Sequence, residues 1–65
     1  MRRQWKRADE LTLGDIVTNI TWDGTRIKET VARLDLVGDD VTVYGVRGEL
    51  FTTSRGNPVE VWKKG

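Results

Sequence analysis

The chain of 65 residues has no cysteine and no histidine, one proline and one methionine. Without cysteine there is no disulfide framework, no thiolate nucleophile and no sulfur ligand for a metal. Without histidine the commonest zinc ligand and the usual general base near neutral pH are missing as well. Nucleophilic triads and zinc hydrolysis are therefore closed to this sequence. Carboxylates remain, but Asp39 and Asp40 stand in a Gly-Asp-Asp turn, where aspartates bond to the local backbone. Asp35, Asp39 and Asp40 lack the ligand ladder of a calcium loop, and no G-x-x-x-x-G-K-[ST] run is present to cradle phosphate. The reading is of a protein that is not an enzyme and takes neither metal nor cofactor. No apolar run approaches the ~20 residues of a bilayer-spanning helix, and no apolar secretory segment follows Met1. Together with the absent disulfides this predicts a soluble cytoplasmic protein.

What is present is a single small domain. A chain this short hides only about 60% of the surface its unfolded form exposes, so its core is thin. Stability has to come from close packing, an economical β architecture, a partner or a second copy of the chain.

Net charge is +1, from eleven basic and ten acidic residues, but the placement is uneven. Arg2, Arg3, Lys6 and Arg7 precede any acid, and Lys63 and Lys64 close the chain. Those six leave five basic residues among residues 8–62 against all ten acids. An acidic body is a poor surface for a polyanion and its basic ends are a good one. Residues 1–8 carry no apolar periodicity and read as a flexible basic arm, with residues 9–65 as the folded domain.

The domain reads as strands. Residues 15–22 are rich in β-branched residues, and Asp23-Gly24 after them is a strong hairpin signal, expected as a type I′ turn. Alternation puts Ile16, Thr18, Ile20 and Trp22 on one face, expected to be the inner one. Residues 25–37 mix signals: Ile27, Val31 and Leu34 have helical spacing, while Thr25, Thr30 and the apolar run 34–37 favour a strand. The flanking turns decide for a strand, bent by a bulge near Ala32-Arg33. Residues 41–46 alternate, with Val41 and Val43 inward and Gly45 allowing a close approach. Residues 49–54 and 59–62 are two further short strands, set off by turns at Arg47-Gly48 and Arg55-Gly56-Asn57-Pro58. The core is expected from Val17 or Ile16, Ile20, Val31, Leu34, Val43, Leu50 and Val61.

Five short antiparallel strands predict an all-β fold, a closed small barrel whose closure hides its edges. The opening Leu11-x-Leu13-Gly14-Asp15-Ile16-Val17 resembles the L-x-x-G-D-x-V start of SH3-like small β-barrels, KOW-type modules among them. That resemblance covers residues 11–62 and implies a five-stranded barrel with its tight distal hairpin at Arg47-Gly48 and a 3₁₀ turn at residues 55–58. The glycine-rich middle of a KOW motif is absent, so ribosome binding is not carried over. In overall style, a complete short reading frame from Met1, the chain is also similar to small accessory proteins of actinobacteria and their bacteriophages.

Three functions follow as expectations. The first is a non-catalytic module binding a protein partner. The second is a nucleic-acid binder gripping phosphates with Arg2, Arg3, Lys6 and Arg7, stacking Trp5 and helped by Lys63 and Lys64. The third is a structural protein working as a homo-oligomer. Trp22, Tyr44 and Trp62 are candidates for an exposed aromatic face of the kind small barrels use, although tryptophans in so small a core often serve as plugs. Charge placement separates the first two: Arg26, Arg47, Lys63 and Lys64 on the arm's side favour nucleic acid, whereas an acidic and apolar patch favours protein.

Overall fold

The computed structural model describes residues 1–64. Seven strands, β1 (Arg2–Arg7), β2 (Ile16–Ile20), β3 (Arg26–Thr30), β4 (Arg33–Val37), β5 (Asp40–Gly45), β6 (Gly48–Ser54) and β7 (Pro58–Lys63), are joined by short turns and a 3₁₀ turn at Ala8–Glu10. They form two antiparallel sheets, ordered β1-β7-β2-β3 and β4-β5-β6. The all-β class is as expected, and no α-helix occurs among the described residues. The closed five-stranded barrel is not what forms: two sheets take its place, and no ladder joins β6 to β7. The 3₁₀ turn lies at Ala8–Glu10 and not at residues 55–58, which make a plain turn closed by Asn57 N–H to the Ser54 carbonyl (3.0 Å).

Residues 25–37 are extended, as their flanking turns suggest. Their bend falls at Val31-Ala32, where the segment changes sheets. Val31 N–H donates to the Asp15 carbonyl at 2.7 Å, beside β2, and the next N–H, that of Ala32, donates to the Tyr44 carbonyl in β5 at 2.8 Å. The β2–β3 hairpin forms, but its turn is not type I′. Only Gly24 has positive φ (86°). Asp23 does not take positive φ, and its carboxylate accepts from the Thr21 hydroxyl and from Thr25 N–H.

The largest departure is at the N-terminus. Arg2–Arg7, expected as a flexible arm, is strand β1, paired with β7 from Arg2↔Lys63 to Arg7↔Pro58. An edge strand needs no apolar face; the β7 backbone offers it a full ladder, which is why periodicity does not reveal it. Its far end is pinned. Ala8 N–H donates to the Asn57 carbonyl (2.9 Å), Asp9 N–H to the Arg55 carbonyl (3.0 Å), and the Ala8 side chain is buried.

The core is mostly valine: Val17, Val31, Val43 and Val61 are fully buried, with Ala8, Leu11, Val41 and Val59 around them. Leu34, Leu50 and Phe51 pack against this cluster. The expected inner face of β2 is inverted. Val17, in register with Val61 and Glu29, points inward, whereas Ile20 is 59% exposed and Trp22 98%. Gly45 is buried where a Cβ would lie 2.8 Å from Glu29 Oε2 and 3.2 Å from a Leu50 methyl, so the close approach there is by side chains.

Candidate nucleic-acid interface

Strand registers fix what the four-stranded sheet shows to solvent. Val17, Val59 and Val61 point into the core, so the alternate residues point out. Arg3 stands opposite Trp62, which stands opposite Ile16, itself opposite Thr30. One step along, Trp5 faces Glu60 on β7 and Thr18 faces Lys28 on β3. At the far end lie Arg7 opposite Pro58 and Ile20 opposite Arg26. The surface is thus basic and aromatic, with four cations and one carboxylate.

Its floor is built. The Trp62 indole N–H donates to Thr18 Oγ1 at 2.8 Å, the Thr18 hydroxyl donates to Glu60 Oε1 at 2.7 Å, and the Lys28 ammonium sits 4.4 Å from the Trp62 ring centroid. Arg3 reaches Glu60 at 3.5 Å and lies 5.9 Å from the Trp5 ring. The Thr18 hydrogen bond holds the Glu60 carboxyl below its ordinary range against the opposing effect of desolvation, with the positive charges of Arg3 and Arg26 assisting. Arg26, on the opposite edge strand from Arg3, therefore acts on the same central carboxylate. Among the described residues no ion pair engages Arg26 or Lys28.

The residues singled out in the sequence divide. Arg3 and Trp5 (59% exposed) lie on this face, as does the half-buried Trp62. Arg2 and Lys63 pair with each other one position out of step, on the opposite side of the sheet. Lys6 is a structural cation: its ammonium lies 2.9 Å from Oδ2 of buried Asp15, which also accepts Thr12 N–H at 2.9 Å. Burial pushes the Asp15 carboxyl up, but Lys6 and Thr12 outweigh it and hold the group below its ordinary range. Arg7 is held by Asp9 through two hydrogen bonds of 3.1 Å. Lys64 follows the end of β7, and Trp22 stands at the β2–β3 hairpin tip. Tyr44 is elsewhere, in the three-stranded sheet under the Arg33 guanidinium (4.2 Å), so the three candidate aromatics do not form one face. Arg47 sits in the β5–β6 turn of that other sheet.

No protein-family model, curated protein or solved structure matches the chain.

Lys28, Thr18 and Glu60 complete the face and were not among the sequence candidates. Alternation along residues 26–30 and 58–63 would have put Arg26 with Lys28 and Glu60 with Trp62, but only the register joins those two pairs to Arg3 and Trp5. A concavity of about 390 Å³ opens between the sheets and is lined by residues 18–20, 50–53 and 58–60. Unbroken runs of this kind are strand edges and not one side-chain face, because side chains alternate. No helix among the described residues is long and apolar enough to cross a membrane.

Proposed function

We propose that this protein is a non-catalytic nucleic-acid-binding module that uses the outer face of β1-β7-β2-β3. The observation that carries this reading is that Arg3 on one edge strand and Arg26 and Lys28 on the other share the face that shows Trp5 and Trp62. Cations at that density attract phosphate, and neutralising each phosphate releases counterions. The strand path β7, β2, β3 with β4, β5, β6 supports an SH3-like small barrel left open between β6 and β7, with β1 as an added edge strand. A mobility-shift assay at about 50 mM salt, with single- and double-stranded DNA and RNA, tests the reading. Binding to at least one form, lost in Arg3→Glu/Arg26→Glu, is expected; no binding to any form defeats it.

A second reading, an extended protein segment laid along the free edge of β6, is favoured by the slot of strand edges between the sheets. It predicts a protein partner that survives nuclease treatment and is lost in Ile20→Lys at the slot's rim.

A further inference from the structure

We infer that the nucleic acid taken by this face is a single strand, its bases stacking on Trp5 and on Trp22 at the adjoining hairpin tip while its phosphates follow the cations of the two edge strands; this rests on the reading above. The width of the sheet is the first reason. Three inter-strand spacings of ~4.8 Å separate the axes of β1 and β3, about 14 Å before any side chain is counted. A duplex major groove is about 12 Å wide and admits a helix or a two-stranded ribbon. The four-stranded face can lie across a duplex but cannot enter it, and the described residues include no helix that could.

The second reason is the arrangement of charge. The cations stand at the rims, Arg3 on β1 and Arg26 and Lys28 on β3, while Glu60 occupies the interior on β7. A carboxylate there repels phosphate and accepts hydrogen bonds from exocyclic base amines. Bases turned inward and phosphates turned outward is the posture of an unpaired strand on a sheet; a duplex presents phosphates everywhere on its outside.

The third reason is which rings remain available. Trp62 has its N–H committed to Thr18 and its ring covered by Lys28, so it is part of the floor. Trp5 is more than half exposed beside Arg3, and Trp22 is almost wholly bare at the hairpin tip. At 98% exposure the Trp22 ring leaves a large apolar surface in water. Base stacking covers it, and it needs bases whose faces are open.

Titration of intrinsic tryptophan fluorescence with a thymidine 20-mer, and with a hairpin duplex of mixed sequence, at about 50 mM sodium chloride tests this. Quenching by the single strand with affinity at least about tenfold above that for the duplex is expected. Trp22→Ala and Trp5→Phe should each weaken single-strand binding about three- to tenfold and leave its salt slope, about −2 to −3 for three to four phosphates, unchanged. Equal or tighter binding of the duplex overturns the inference and leaves the nucleic-acid reading standing. Single-strand binding that both tryptophan variants leave intact overturns the stacking assignment. Absence of binding to either probe, and to RNA in the assay above, defeats the underlying reading itself.

Discussion

On the outer face of the four-stranded sheet, Arg3, Arg7, Arg26 and Lys28 stand around the single carboxylate of Glu60; on that of the three-stranded sheet, Arg33 stands among Asp35, Asp40 and Glu49. Each face stacks a cation on an aromatic ring, Lys28 on Trp62 at 4.4 Å and Arg33 on Tyr44 at 4.2 Å. The resemblance ends there. Arg33 is tied to Asp35 through bonds of 3.3 and 2.6 Å, which hold the Asp35 carboxyl below its ordinary range, as Arg7 is tied to Asp9, whereas Arg26 and Lys28 engage in no ion pair among the described residues. The rest of the three-stranded face includes the exposed Val37 and a hydroxyl pair, Thr42 and Thr52, bonded across β5 and β6 at 3.0 Å. A net charge of +1 conceals two poles that share one valine core. The difference shows that a near-neutral total says little about the field a ligand meets.

The contrast breaks most completely if the basic face loses its edge strand. Removal of residues 1–7 strips the ladder from β7 and leaves Asp15 buried without Lys6; loss of one partner of a buried pair alone costs roughly 3 kcal/mol or more. That is a large share of the stability of so small a domain. Circular dichroism should therefore show a cooperative loss of fold on truncation. A truncated protein that melts like the whole would mean β1 is dispensable.

The wall between the two faces comes next. Val17→Ala should cost about 1.5–3 kcal/mol in urea denaturation, from lost transfer energy and the cavity left behind. Ile20→Ala, on the exposed side of the same strand, should stay within about 0.5–1 kcal/mol. The opposite ranking would put the core on the wrong side of β2.

Charge reversal sharpens the comparison directly. Arg26→Glu/Lys28→Glu should weaken single-strand binding about 100-fold, since it removes two charge-assisted contacts and adds repulsion. Asp35→Lys/Glu49→Lys on the other sheet should leave affinity within about twofold, because screening over ~8–10 Å isolates the faces at physiological salt. Equal effects from the two pairs would show that only total charge matters.

A smaller effect separates the acids. Asp15 binds its proton less tightly in the folded state than in the unfolded chain. Its carboxylate therefore stabilises the fold above about pH 4, and that contribution is lost as pH falls through the lower folded value. In Asp15→Asn the fall of melting temperature below pH 4 should be shallower. Last, Arg33→Gln, a change at an exposed pair, should not measurably move the melting temperature.

Much of the strand layout was legible because it is written in β-branched alternation and punctuated by glycine: residues 41–45 and 59–62 behave as their patterns suggest, although the turn takes in Val46-Arg47 and Gly48 already begins β6. Strand β1 was hidden for the reason that makes it useful. Arg2-Arg3-Gln4-Trp5-Lys6-Arg7 has polar residues on both sides, and what orders it is backbone pairing to β7, which no periodicity encodes. The inverted face of β2 has a related cause. Its larger apolar residues, Ile16 and Ile20, lie on the outer side, while a single valine supplies the inner wall. A sheet whose bulkier apolar surface faces water misleads a reading that assigns the larger apolar residues to the core. Of the candidate site, Arg3, Trp5, Arg7 and Trp62 were singled out in the sequence; that Lys28, Thr18 and Glu60 join them needed a register that only the fold supplies.

The crossing at Val31-Ala32 bears on how such a protein comes to be folded at all. Two successive amides commit to opposite sheets, one to the carbonyl of Asp15 and the next to that of Tyr44. The end of β3 and the start of β4 are thereby tied to one another, and the two sheets share a single buried valine cluster. Ladders that join distant parts of the chain, such as Arg2 with Lys63, add closure entropy to folding. The molecule should gain or lose its structure all at once, and the Val31 and Ala32 amides should exchange with solvent only through that global event.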